Sequence, residues 1–144
     1  MTDSIFRKDW YSGALKTLQE TELVLFDPDN GLEIPSKTRH RAGGSKYVWY
    51  NKLEPFLHSG KSIVVYQHSN HQKGGAEEAI KRRTSGLRDK LKCGRIWATR
   101  WHRFQSRVYF LIPTAVHNAR MEKAIDQLQA SPWCQGDHFS VIKF

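Results

Sequence analysis

Two apolar runs set the frame for this chain. Leu23-Val-Leu-Phe26 is apolar without alternation, and Lys61-Ser-Ile-Val-Val-Tyr-Gln67 is β-branched and similarly buried in character; each stops abruptly at polar residues. A strand apolar on both faces belongs inside a parallel sheet covered by helices. Helical segments stand around them. Asp9–Glu20 carries Trp10, Leu15 and Leu18 on one side, a second helix starts near Lys46 with Pro55 dividing it and Gly60 ending it, and Gly75–Cys93 has Glu77 and Glu78 in its first turn, Lys90 and Lys92 in its last, and Gly94 as a stop. Arg95–Trp101 and Arg107–Pro113 read as strands joined by a short polar turn, hence antiparallel. Met121, Ala124, Ile125 and Leu128 follow helical spacing before a last strand near Phe139–Phe144. Strands alternating with helices imply parallel crossovers. The expected fold is therefore a single α/β domain over residues 1–144, with a three-layer, mostly parallel sheet and a terminal antiparallel strand pair.

The length of 144 residues suits one domain with an ordinary core. Cys93 and Cys134 lie far apart and outside any CxxC spacing, so neither a disulfide framework nor a zinc ribbon is indicated, and a reducing, cytoplasmic setting is expected. Residues 1–10 lack the apolar stretch of a signal peptide. The longest apolar runs are strand-sized, well short of the ~20 residues that cross a bilayer, so no membrane partner is expected.

Charge is the strongest compositional signal. The 23 Lys and Arg outnumber the 14 Asp and Glu, for a net charge of +9. No acidic residue occurs between Lys90 and Met121, a stretch that holds Arg95, Arg100, Arg103 and Arg107 interleaved with Trp97, Trp101, Phe104, Tyr109 and Phe110. A second acid-free stretch, Ile34 to Leu53, carries Lys37, Arg39, Arg41 and Lys46. Cations near aromatic rings suit phosphates and bases, so these residues are the expected nucleic-acid surface. Residue by residue, the competing account is that the rings are core and the cations merely their solvated faces.

In open α/β sheets ligands sit beyond the carboxyl ends of the parallel strands. Two polar clusters are expected there. In Asp27-Pro-Asp-Asn-Gly-Leu-Glu33, the carboxylates of Asp27, Asp29 and Glu33 suit a magnesium ion or acid–base work, although the same residues also make a good turn. In Tyr66-Gln-His68, His68 is a candidate for proton transfer. Pro28, Asn30, Tyr66 and Gln67 would line the ligand. An EF-hand is excluded because Gly31 falls at the fifth loop position, not the sixth. His68 and His71 with His102, His117 or His138 would suit zinc, and Gly43-Gly44-Ser45-Lys46 before a helix would suit a phosphate.

Leu25-Phe-Asp-Pro-Asp-Asn-Gly-Leu-Glu33, Ser45-Lys-Tyr-Val48 and Val64-Val-Tyr-Gln-His68 together resemble an uncharacterised bacterial and phage family. Its longer members resemble Rossmann-fold methyltransferases, including those acting on adenine N6 of large-subunit ribosomal RNA, which carry Asp-Pro-Pro-Tyr after the fourth strand. The resemblance spans roughly residues 9–117 and implies the C-terminal half of that fold. Asp27 would accept a hydrogen bond from a target amino group and Pro28 would supply the adjoining carbonyl. Asp29-Asn30 stands where Pro-Tyr would be, so the motif lacks its stacking ring. The glycine-rich half that holds S-adenosylmethionine has no counterpart, so that cofactor is not expected, and the strand edge left by the missing half invites a homodimer.

The leading expectation is a nucleic-acid-associated protein that grips the phosphate backbone. A magnesium-dependent nuclease using Asp27, Asp29, Glu33 and His68 comes second, a methyltransferase-related enzyme third, and a small phage-type inhibitor or interaction protein fourth.

Overall fold

In chain order the strands are β1 (Leu23–Phe26), β2 (Gly31–Leu32), β3 (Tyr47–Val48), β4 (Ser62–His68), β5 (Trp97–Trp101), β6 (Arg107–Ile112) and β7 (Phe139–Lys143). The helices are α1 (Thr2–Thr17), α2 (Tyr50–His58), α3 (Gly75–Leu91), α4 (Asn118–Ala130) and the single turn α5 (Pro132–Gln135). They belong to a computed structural model that describes residues 2–39, 43–68, 74–103 and 106–144. Among these no helix is long and apolar enough to cross a membrane.

The main sheet has the order β1-β4-β6-β5-β7, and β2 and β3 form a small parallel pair beside it. The chain is thus α/β, but the sheet is mixed and not mostly parallel. Among the described residues of the main sheet only β1 and β4 pair in parallel; β4 with β6, β6 with β5, and β5 with β7 all run antiparallel. The reason lies in the β5–β6 pair expected from sequence. Helix α3 carries the chain past a gap one strand wide before β5, and β6, with only residues 102–106 between it and β5, lies in that gap, between β4 and β5. Strands joined by a short turn pair antiparallel, which local sequence shows, but which outside neighbour the second strand takes is a tertiary outcome.

A second correction concerns β1, which lies at the sheet edge and not in its interior. Its Leu23 and Leu25 are 51% and 62% exposed, while Val24 between them is buried.

Side chains alternate across a sheet, so the register sorts them into two faces. One face, with Val24, Ile63, Val65, Phe110, Ile112 and Ala98, packs on Leu53 and Phe56 of α2 and Ile80, Leu87 and Leu91 of α3 in one continuous core. Phe56 is a centre of this layer, meeting Tyr11 of α1 and Phe26 of β1 edge-on at 6.0 and 5.2 Å. Each such fully buried side chain contributes roughly 1.5–3 kcal/mol. On the opposite face Trp97 and Ile125 are buried outside that cluster, where α4 and α5 lie against β7. The ion pairs Lys143–Asp126 and Arg95–Glu122, both 2.9 Å, hold α4 there.

Local differences have local causes. Helix α1 begins at Thr2, so Asp9 is mid-helix and does not meet an N-terminal dipole. From Gly44 to Lys46 the chain makes only a 3-10 turn, and α2 starts at Tyr50 and runs through Pro55 without dividing. Helix α3 ends through Lys92, in left-handed conformation (φ 52°) with its N–H bonded to the Arg88 carbonyl, and not through Gly94.

Candidate functional site

Because β1 and β4 are parallel and in register from Leu23–Ser62 to Phe26–Val65, their carboxyl ends finish side by side. Asp27-Pro28 therefore leaves the sheet beside Tyr66-Gln67-His68, as the two polar clusters require. Alternation along β4 then divides the second cluster. Tyr66 and His68 project on the face away from the main core, and Gln67 projects into the core side.

Gln67 is consumed by structure. At 6% exposure its Oε1 accepts the Leu32 N–H (2.9 Å), and its Nε2 donates to the carbonyls of Asn30 (3.0 Å) and His68 (2.9 Å). The side chain thus acts as a clamp that imitates a strand partner for the 30–32 segment. Gly31 makes this approach workable: its φ is +98°, and a Cβ there would stand 2.4 Å from the Gln67 carboxamide. The Asn30 N–H is in turn bonded to the Lys46 carbonyl (2.9 Å). Gln67 and Asn30, expected to line a ligand, instead shape the loop that carries Asp27, Pro28 and Asp29.

Glu33 is likewise committed. Its carboxylate accepts the Tyr50 N–H (3.1 Å) at the start of α2, and its carbonyl accepts from Arg83 (2.6 Å). Burial, with Glu33 adding to it, raises the Tyr50 hydroxyl pKa against the opposing pull of Arg83. Asp29 is exposed in the bend, and Asp27 lies near enough to Tyr66 to contribute to raising its pKa. The three carboxylates expected to hold a metal are therefore divided between surroundings. Among the described residues no group of three or more His, Cys, Asp or Glu stands together in a metal-holding arrangement. Arg41 and His71 lie outside the described residues. Gly44 packs on the carbonyls of Thr38 and Arg39, and the three-residue turn it opens leads into β3 and not a helix, contrary to the expected phosphate site.

Tyr66, His68, Arg107 and Tyr109 do come together. Tyr66 pairs across the sheet with Tyr109, and His68 with Arg107. The two tyrosine rings are 5.6 Å apart and tilted by 56°, and the Tyr66 hydroxyl meets His68 Nδ1 at 3.1 Å. Burial raises the Tyr66 hydroxyl pKa, with Arg107 opposing and Tyr109 and Asp27 adding. Next in the same row as His68 and Arg107 stands Trp101, with Phe139 beyond it at 4.9 Å and His138 stacked on its ring at 5.8 Å and 18°.

The cations differ in how they are neutralised. Arg95 is bound to Glu122 and lies over the Trp97 ring, while Arg39 lies over Trp49 and donates to Asn51 (2.6 Å). Lys37 and Lys46 are exposed. Around the β5–β6 connection the acceptors are not carboxylates: Arg100 donates to Ser106 Oγ (2.9 Å) and Arg103 to His138 Nδ1 (3.0 Å). Arg107 is exposed, and no carboxylate is paired with it among the described residues. His102, beside Arg100, has its pKa lowered by burial first and by that guanidinium second.

Sequence inspection missed one constellation. Ser62 Oγ lies 2.9 Å from His117 Nδ1, and His117 Nε2 lies 3.8 Å from Glu22. Despite the likeness to a nucleophile, base and carboxylate, Ser62 is 1% exposed and its hydroxyl accepts the Thr114 N–H at 3.0 Å, which makes the group a tie between the start of β4 and the turn before α4. A crevice between α3 and the sheet, lined by Gln67, His68, Ile80 and Arg83 among others, has room for only about one water. Comparison with protein-family models, curated proteins and solved structures gives no match.

Proposed function

We propose that this protein binds nucleic acid through the phosphate backbone, with Arg100, Arg103 and Arg107 at the carboxyl end of β4 and β5 as the principal contacts. One contrast carries this reading. At the other end of the sheet Arg95, Arg120 and Lys143 are each paired with a carboxylate, whereas Arg100 and Arg103 donate to a hydroxyl and an imidazole and, among the described residues, Arg107 has no carboxylate paired with it. Guanidinium ions that are not paired with carboxylates among the described residues, on a chain of net charge +9, attract polyanions and recruit them by steering. The parallel β1–β4 pair, with Asp27-Pro28 at its carboxyl end, supports kinship with half of a Rossmann-like methyltransferase fold as part of the same proposal.

The test is a native-gel titration against labelled single- and double-stranded DNA and RNA at two salt concentrations, with EDTA present. Salt-sensitive binding is expected. Arg103→Ala with Arg107→Ala weakens it and flattens the slope of log K against log salt by about 0.7–0.9 per lost phosphate contact. Binding unchanged in the double variant refutes the assignment of this surface.

A further inference from the structure

Resting on that reading, we infer that the uncovered half of the sheet, across β1, β4 and β6, is a platform for unpaired bases, so that the preferred ligand is single-stranded nucleic acid. The β5–β7 half of this face is closed over Trp97 by α4 and α5. Among the described residues nothing covers the other half: Leu25 is 62% exposed, and Val64, Tyr66, His68, Tyr109 and Leu111 are only partly buried. An uncovered sheet face ordinarily turns polar, because solvated positions alternate with core positions along each strand. Here it presents two adjacent tyrosine rings 5.6 Å apart, with the imidazole of His68 and the exposed guanidinium of Arg107 at their upper edge.

Rings and cation together suit a strand whose bases are free. Bases stack on aromatic side chains regardless of sequence, while cations track the backbone. In a duplex the flat faces of the bases are already occupied by their neighbours, so the rings would gain nothing from it. Charge complementarity selects this occupant over a second copy of the chain. Face-to-face association would bring two proteins of charge +9 together at surfaces that each carry Arg107, and like charges across an interface are unfavourable.

Two measurements on folded protein test the inference. In fluorescence anisotropy with 12-nucleotide RNA and DNA strands and the matching duplexes, the wild type is expected to bind a single strand at least ten-fold tighter than a duplex. Tyr66→Leu and Tyr109→Leu each weaken single-strand binding about ten-fold, leave duplex binding and the salt slope as they were, and are rescued by Phe at the same position. Relative affinity for the RNA and DNA strands then identifies the source. Photo-crosslinking of the wild type to a halogenated-uracil oligonucleotide, read by mass spectrometry, should label Tyr66 or Tyr109 and does not depend on any variant folding. Equal affinity for strand and duplex, or labelling confined to other residues, overturns the platform while leaving backbone binding standing. No binding to any nucleic acid overturns both. A dimer by light scattering that Leu25→Glu dissociates would instead assign the face to a second copy and also overturn it.

Discussion

Replacing Gln67 by Leu tests the most consequential piece of local architecture, the clamp between β4 and the loop that carries Asp27 and Asp29. Leucine is close in volume and keeps the packing but leaves three backbone groups without their partner. The Leu32 N–H, in a residue with 0% exposure, loses its 2.9 Å acceptor, and an unmet buried donor costs about 1–3 kcal/mol. The carbonyls of Asn30 and His68 lose donors at 3.0 and 2.9 Å, but both residues are only partly buried, so water recovers much of that. The sum is about 2–4 kcal/mol, a large share of the 5–15 kcal/mol typical of a domain. With a urea dependence of about 2 kcal/mol per molar, the unfolding midpoint falls by about 1–2 M. Gln67→Glu is the control: it keeps an acceptor for Leu32 but sets a buried carboxylate against two carbonyls, so it destabilises at neutral pH and recovers in acid, where the protonated form donates again. A midpoint within about 0.3 M of wild type for Gln67→Leu, at unchanged slope, would refute the clamp.

Four further outcomes follow from the same structure. Gly31→Ala combines a left-handed φ of +98° with a Cβ 2.4 Å from the Gln67 carboxamide, so it should cost more than the ~1–2 kcal/mol of backbone strain alone, read by urea unfolding. Lys61 is 7% exposed and donates to the carbonyls of Gln19 (2.6 Å) and Thr21 (3.0 Å); Lys61→Met should lose about 1–3 kcal/mol and lower the melting temperature by several degrees, and an unchanged melt would show that these bonds are dispensable. Burial pushes the Tyr11 hydroxyl up to about 12, so its contribution is intact below pH 10 and is lost as pH rises through 12; an ultraviolet tyrosinate titration should lack its latest step in Tyr11→Phe. Burial also pushes the Cys93 thiol up, so Cys93 should react slowly with a disulfide reagent at neutral pH and rapidly in urea.

Much of the fold was legible along the chain. The run 23–26 is β1 and the run 61–67 lies in β4 from Ser62 on, the helical spacing of Met121, Ala124, Ile125 and Leu128 is borne out in α4, and the strand pair on either side of residues 102–106 is antiparallel. One misassignment was avoidable from sequence: period-two alternation already sets Gln67 opposite Tyr66 and His68, so the three never formed one lining. Glu33 was less accessible, because the Tyr50 N–H it accepts belongs to a helix whose start was expected near Lys46. The pairing of Tyr66 with Tyr109 had no local signal, since they stand 43 positions apart and only the register of β4 with β6 joins them.

Hydrophobic periodicity and charge, both properties of short windows, determined by themselves that this chain is an α/β protein with an acid-poor, aromatic-rich stretch around β5 and β6. The tertiary structure alone decided that β6 enters between β4 and β5, that β1 lies at an edge with Leu25 bare, and that Arg95 meets a carboxylate while Arg103 meets an imidazole. Those outcomes depend on which distant segments meet, and the free energy that selects among such meetings comes from burying whole faces together, a quantity no window of neighbouring residues contains.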